Sequence, residues 1–245
     1  MTASAALSQG WQRLRPELVG YLRRLLAREE LAEEVAQQAA LRAVEAEDVP
    51  EDAAGLRAWL FRVATNLALD HLRRHATWRE GVLDETRGRA EGDAAFVAES
   101  RLLSGSPEMR SIAREHLAVC MACTLRNLRP EESAALLLRE VHGFTVEETA
   151  RAMDARFAQV KGWIQSARAR LTERYASTCA LVSQAGACFQ CVELDRFFGA
   201  GAGDPLAGTA RDLDARLVIL RERREAPLGP WHRRMMQLVD DVLEG

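Results

Sequence analysis

Two cysteine pairs with the spacing C-x-x-C are the residues of this sequence best suited to metal or redox chemistry. The four thiols are those of Cys120, Cys123, Cys188 and Cys191. Two such pairs brought together form a tetrahedral Cys₄ site, whose geometry and soft ligands suit Zn²⁺ ahead of an iron–sulfur cluster or copper. Cys179, and His116 one helical turn before the first pair, are alternative ligands. We therefore predict a zinc site whose ligands come from this set.

The two cysteine pairs lie near the start and after the end of one predicted helical domain. The first pair lies in the helical run REHLAVCMACTLRNL, and the second follows the Arg-rich run QVKGWIQSARARLTER. Because the first and last helices of a compact domain can be neighbours, the metal would fasten the C-terminal residues to that domain. Two uses remain open, a structural clip and a labile sensor of oxidation or metal exchange. A third alternative is a thiol redox protein, although no βαβ pattern surrounds the pairs.

The composition and the N-terminus predict a cytoplasmic protein, and the helical periodicity of the chain predicts an all-α fold. The chain has 245 residues, 48% of them hydrophobic, which is enough for one large or two small cores. The N-terminus lacks the basic flank and apolar run of a signal peptide. In the reducing cytoplasm, an odd number of cysteines, four of them in two C-x-x-C pairs, favours metal or redox chemistry over a disulfide framework. With a formal charge of −3, nucleic-acid binding would require local clusters of basic residues.

Helical periodicity divides the chain into two small domains and an extension. Apolar residues recur at spacings of three and four, whereas the alternation typical of strands is nearly absent. A stretch rich in Gly, Asp and Ser interrupts this periodicity and has the composition of a linker. The predicted units are an N-terminal domain over 1–78, a linker over 79–107, a second domain over 108–175 and an extension over 176–245.

The second domain carries the local signals of a helix-turn-helix. Pro130 is suited to the first position of a helix that Gly143 ends. Thr145 and Glu148 have the spacing of a capping box and predict the start of the next helix. A turn over 154–157 is followed by a basic helix. This is the layout of a motif whose second helix enters the major groove of DNA.

Segments of both domains resemble conserved regions of bacterial sigma factors of the extracytoplasmic function (ECF) group. LAEEVAQQAALRAVEA and GLRAWLFRVATNLALDHLRRH resemble region 2, and LRPEESAALLLREVHGFTVEETARAMDARFAQVKGWIQSARARL resembles region 4. CALVSQAGACFQC resembles the cysteine-containing C-terminal extension of some members. The resemblance implies a non-enzymatic transcription initiation factor that binds core RNA polymerase and promoter DNA. It also implies regulation by an anti-sigma factor, or by the extension acting in cis in its place.

The resemblance assigns binding roles to particular residues. The face expected to dock on polymerase consists of Glu33, Glu34, Gln37 and Gln38. The residues expected to contact promoter DNA are Arg57, Arg62, Asn66, Arg73, Arg74, Gln159, Lys161, Gln165 and Arg168. Basic side chains neutralise phosphates, nearby aromatic rings can stack unpaired bases, and the amide of Asn66 can read a base edge. Trp59 and Phe61 are interleaved with these arginines, but we expect most of that apolar run to be core.

The basic helix departs from the family pattern at Gly162, Trp163 and Ser166, where small polar and basic residues are more frequent. The promoter −35 sequence therefore does not follow from the resemblance. An alternative function is a helix-turn-helix regulator that binds duplex DNA without core polymerase, since a basic recognition helix suits either protein. The predicted partners are core RNA polymerase and promoter DNA, and no membrane.

Overall fold

The computed structural model describes residues 3–74, 82–95, 98, 125, 128–178, 213–227 and 237–243, which contain helices and no strand. The helices are α1 (Ala3–Leu26), α2 (Glu29–Glu45), α3 (Ala53–Arg74), α4 (Val82–Gly92), α5 (Pro130–Leu136), α6 (Val146–Ala152), α7 (Phe157–Thr178) and α8 (Leu213–Glu222), with a π-helical turn over Leu137–Val141. The predicted all-α class is confirmed. Among the described helices, none combines the length and apolarity that crossing a membrane requires.

Helices α1, α2 and α3 form the first domain around a shared core. The side of α2 that faces this core carries small residues at spacings of three and four, and they let the neighbouring helices approach closely. They are Ala32, Ala36, Ala39 and Ala43. In α3, Trp59, Leu60 and Phe61 are all buried, so the expectation that this run is mostly core is confirmed. The buried hydroxyls of Tyr21 and Thr65 are 3.0 Å apart and tie α1 to α3.

Helices α5, α6 and α7 form the second domain, and the ends of these helices follow the predicted signals. Pro130 is the first residue of α5, and Gly143 after the π-helical turn has φ +73°, a conformation that glycine adopts without strain. The Thr145 hydroxyl accepts a hydrogen bond from the Glu148 amide at 3.1 Å. The Glu148 carboxylate accepts one from the Thr145 amide at 2.7 Å. The predicted capping box is therefore formed, and α7 begins at Phe157 after the expected turn.

The two domains pack directly against each other. Helix α3 contacts α5 and α6, and α1 contacts α5 and the π-helical turn. A cluster of rings closes this boundary, with Phe61 of α3 lying 5.1 Å from Phe144 between ring centroids. The described parts of both domains consequently share one continuous hydrophobic core.

The predicted linker and extension also contain helices. Helix α4 lies inside the stretch 79–107, where weak periodicity gave no sign of it, and Val82 at its start is fully buried. Val82 packs with Ala27, which follows the end of α1, and with Val239 and Val242 of a helix over 237–243. Helix α8 packs on α7 and on the π-helical turn. The described part of the extension therefore docks on both domains.

Candidate polymerase and nucleic-acid interfaces

One face of α2 is open to solvent and combines polar and apolar side chains. Glu34, Gln37 and Gln38 are exposed, and the Gln38 amide donates to Glu34 at 3.0 Å. Leu41 and Val44 continue the same face with 61% and 72% of their surfaces exposed. Sequence reasoning missed Leu41 as a site residue, although it lies three and four residues beyond the two glutamines and therefore on their face.

Glu33, the remaining residue predicted to contact polymerase, lies at the edge of this face. Its carboxylate is 2.6 Å from the Arg15 guanidinium and 3.6 Å from that of Arg23, both on α1. The structure thus brings Glu34, Gln37 and Gln38 together and turns Glu33 towards α1.

The residues of α3 predicted to contact DNA divide into exposed and engaged groups. Arg62 is exposed, and Asn66 is half-buried one turn further along the helix. The Arg73 guanidinium reaches Glu131 of α5 at 3.0 Å, and Asp70 at 3.4 Å. Arg74 is exposed, with Asp70 at 4.0 Å. Arg62 and Arg74 are therefore the α3 arginines best placed to meet a phosphate.

Arg57 faces the boundary between the two domains. Its Nε and Nη2 atoms donate to the two carboxylate oxygens of Glu17 at 3.0 and 2.7 Å. Nη2 also donates to the carbonyl of His142 at 2.7 Å, which lies in the second domain. The guanidinium stacks over the Phe144 ring, 4.3 Å from its centroid. Arg57 is thus an interdomain residue in this arrangement.

The partly buried carboxylate of Glu17 lies beside the buried imidazole of His142 and next to Arg57, and sequence reasoning gave no signal for Glu17 or His142. Burial raises the pKa of Glu17, but hydrogen bonds from Arg57 and His142 outweigh this effect and hold the pKa at about 2. Burial lowers the pKa of His142, so the imidazole is neutral at pH 7. A carboxylate only accepts hydrogen bonds, so His142 donates from Nδ1 to Glu17 at 3.2 Å. Nε2 of His142 has no hydrogen-bond partner in the described part of the chain.

Helix α7 presents three of its exposed side chains at four-residue spacing. They are Phe157, Lys161 and Gln165. Gln159 is also exposed, but its amide oxygen accepts from the backbone N–H and the Nε of Arg156, each at 3.1 Å. Gln159 consequently caps the start of the helix, and its NH₂ group remains for base recognition.

Arg168 on the same helix has partners elsewhere in the chain. Its Nη2 is 2.5 Å from the Asp214 carboxylate of α8, and its Nη1 is 3.5 Å from the Glu140 carboxylate of the π-helical turn. The hydrogen bond with Asp214 raises the pKa of Arg168 above its ordinary value. This predicted DNA contact is therefore neutralised by an acid of the C-terminal extension.

The predicted metal ligands Cys120, Cys123, Cys188 and Cys191, with the alternatives His116 and Cys179, lie outside the described residues. Among the residues that the structure does describe, no group of three or more His, Cys, Asp or Glu side chains could hold a metal ion.

Comparison with known protein families identifies both domains. Residues 11–78 match Sigma-70 region 2, and residues 118–171 match Sigma-70, region 4. These ranges contain α2, α3 and most of α1 in the first domain, and α5, α6 and most of α7 in the second. The chain therefore carries a segment that matches region 2, followed by a segment that matches region 4, and residues 1–10, 79–117 and 172–245 lie outside both matches.

Several curated proteins are similar to this chain over more than half of its length. The ECF RNA polymerase sigma factor SigG of Mycobacterium tuberculosis is 28% identical over 170 residues, which are 64% of this chain and 45% of SigG. SigX, an ECF RNA polymerase sigma factor of Bacillus subtilis, is 26% identical over 130 residues, which are 53% of this chain and 61% of SigX. The RNA polymerase sigma-H factor of Pseudomonas aeruginosa is 27% identical over 161 residues, or 62% of this chain and 77% of that protein.

The chain is therefore similar to ECF RNA polymerase sigma factors over more than half of its length. The chain spans less than two thirds of the length of SigG and SigX. The matched Sigma-70 regions belong to DNA-binding transcription initiation factors, which are not enzymes.

Proposed function

We propose that this protein directs core RNA polymerase to specific promoters as an ECF sigma factor, and that it does so in the cytoplasm. The observation that carries the proposal is the presence of region 2 and region 4 domains in one chain, in that order. A regulator that binds duplex DNA by itself needs only the second of these domains.

The exposed face of α2 is the proposed docking surface for polymerase. Leu41 and Val44 form its apolar part, and Glu34, Gln37 and Gln38 supply hydrogen-bonding groups beside them. An apolar centre with a polar surround is the arrangement by which protein interfaces combine affinity and specificity. Nothing in the described part of the chain covers Leu41 or Val44.

Promoter recognition is assigned to α3 and α7. On α3, the exposed Arg62 and Arg74 would contact phosphates near the −10 element, and Asn66 would read an unpaired base. On α7, Lys161 and Gln165 occupy the open face that would enter the major groove at the −35 element.

A core-polymerase pull-down with charge-reversal variants tests this proposal. Glu34→Lys should reduce capture of bacterial core RNA polymerase at least about tenfold, which corresponds to the loss of one interface hot spot. Glu51→Lys makes the same charge change at an exposed position before α3 and should leave capture unchanged. Tight binding to duplex promoter DNA, without any capture of core polymerase by the unmodified protein, would favour the independent regulator instead.

We further propose that the cysteines bind Zn²⁺ and fasten the extension to region 4, so that the extension regulates or stabilises this domain in place of a separate anti-sigma factor. The support for this proposal is the spacing of the two C-x-x-C pairs. Metal analysis of anaerobically purified protein should find about one zinc per chain, the content of a single Cys₄ site. The double variant Cys188→Ser, Cys191→Ser should lose it, whereas Cys179→Ser should retain it. Full metal content in the double variant would exclude this ligand set.

A further inference from the structure

Three arginines that are predicted to contact DNA form hydrogen bonds or ion pairs with other parts of the protein. Arg57 of region 2 donates to the His142 carbonyl of region 4 at 2.7 Å. Arg73 of region 2 pairs with Glu131 of region 4 at 3.0 Å. Arg168 of region 4 pairs with Asp214 of the extension at 2.5 Å. In each case, the partner lies in a different unit of the chain from the arginine.

The extension is anchored on region 2 through α1. Arg24, almost fully buried, donates to the backbone carbonyls of Arg223 and Arg224, which follow the end of α8. A guanidinium at this position satisfies carbonyls that a helix end leaves free and complements its dipole. Gly20 allows the close approach, since a Cβ at this position would lie 2.1 Å from the Arg224 carbonyl oxygen.

The same segment is anchored on region 4 through α8. Besides the Asp214 pair with Arg168, the Arg221 guanidinium donates twice to the Glu140 carbonyl of the π-helical turn, at 2.7 and 2.9 Å. Residues 213–225, which we call the C-terminal clamp, therefore contact both DNA-binding domains at once.

We propose that the C-terminal clamp is an intramolecular inhibitor, which holds regions 2 and 4 in a closed arrangement and withholds Arg57, Arg73 and Arg168 from DNA. This inference rests on the proposed sigma-factor function and adds the means of its regulation. The clamp supplies the Asp214 carboxylate, which pairs with the Arg168 guanidinium in the place that a DNA phosphate would otherwise take. Direct contacts between the two domains engage the other two arginines.

The energetics of these contacts suit a reversible device. The Asp214 side chain is 75% exposed, and ion pairs at such exposed positions are weak and screened by salt. Polymerase or DNA binding to the open arrangement can therefore displace the clamp by mass action. The buried Arg24 is the firmer anchor, which would keep the extension near region 2 when region 4 is released.

The first test measures binding of the full-length protein to a 30-base-pair duplex of random sequence, as a function of salt. Asp214→Asn should bind this duplex about threefold to tenfold more tightly at low salt. The slope of log K against log [salt] should become more negative by about 0.9, because the Arg168 guanidinium becomes available to one more phosphate. Asp241→Asn is the matched control, since it changes the net charge equally at another exposed site of the extension. Equal affinities and equal slopes for the two variants would overturn the proposal.

The second test asks whether regions 2 and 4 move apart when the clamp cannot dock on α1. Gly20→Ala raises helix propensity in α1 but places a Cβ against the Arg224 carbonyl, so it removes docking without removing charge. Small-angle X-ray scattering should give a larger radius of gyration than for the unmodified protein. Gly88→Ala adds the same methyl group to α4, where no atom lies within 4 Å, and should leave the radius unchanged. An unchanged radius for Gly20→Ala, with circular dichroism showing a folded chain, would contradict the closed arrangement.

These outcomes can be separated from failure of the proposed function. Loss of core-polymerase capture would refute the sigma-factor assignment while the scattering results stand. Conversely, the unmodified protein could capture polymerase while Gly20→Ala and Asp214→Asn behave like their controls. This result would leave the sigma-factor assignment intact and refute the clamp.

Discussion

Replacing Glu17 by glutamine should destabilise the contact between the two domains, because this carboxylate is the charged centre of their boundary. It accepts two hydrogen bonds from Arg57 and one from His142, and the Arg224 guanidinium of the clamp lies 3.8 Å away. Region 2, region 4 and the extension therefore all contact one carboxylate.

The magnitude of this effect follows from the pKa of Glu17. The difference between the ordinary pKa of 4.5 and about 2 in the folded protein corresponds to about 3 kcal/mol. Partial solvation of the pair lowers the expected loss in Glu17→Gln to about 2 kcal/mol at pH 7. The ion-paired carboxylate contributes fully above pH 4.5, and its contribution is lost as the pH falls towards 2.

Urea denaturation followed by circular dichroism at several pH values measures this effect. The difference in unfolding free energy between the unmodified protein and Glu17→Gln should shrink by about half between pH 7 and pH 3. Glu85→Gln is the control, since it removes a carboxylate 3.7 Å from Arg89 in an exposed pair on α4 and should cost less than about 0.5 kcal/mol. A loss no larger than that of the control, or one that does not change with pH, would refute the reasoning.

Three further predictions concern the caps, the buried histidine and the polymerase face. Thr145→Ala removes the capping box of α6 and should cost about 1 kcal/mol in urea denaturation, whereas Thr172→Ala at an exposed position within α7 should cost less than half of that. Burial lowers the pKa of His142, so the unfolded chain binds a proton at a higher pH than the folded protein does, and the free energy of unfolding should decline as the pH falls below 6.5. His142→Gln should weaken this pH dependence. An identical pH profile for the variant and the unmodified protein would contradict the prediction. Leu41→Asp should reduce capture of core polymerase about tenfold with little change in melting temperature, while Ala54→Asp, at an exposed position in the first turn of α3, should leave capture unchanged. Equal capture by these last two variants would count against the α2 docking face.

The helix-turn-helix could be predicted from the sequence because its signals act over three or four residues. Pro130 has no backbone N–H to lose at a helix start, Gly143 adopts a positive φ, and the Thr145 hydroxyl reaches an amide three residues away. The buried alanine stripe of α2 also repeats at helical spacing. Interactions of this range are fixed by residue order alone, so the predicted starts of these helices agree with the structure.

Helix α4 shows where periodicity is insufficient. Its sequence is rich in charged residues and glycine, a composition that predicts a linker. Burial of Val82 against Ala27 and the helix over 237–243 supplies the stabilisation that the weak amphipathicity of α4 does not. Those partners are distant in sequence, so no local pattern indicates them.

The sequence by itself determined the helical class, the two sigma domains and which side chains are able to bind phosphate or bases. Only the tertiary structure decided which of those side chains are free. Arg57 meets Glu17 across 40 positions of the chain, and Arg168 meets Asp214 across 46. The strength of such pairs depends on distance and burial, and both are set by how helices pack rather than by their order. For this reason, the sequence predicts that α3 and α7 carry basic residues for DNA binding. It does not predict which of these arginines are exposed and which are paired within the protein.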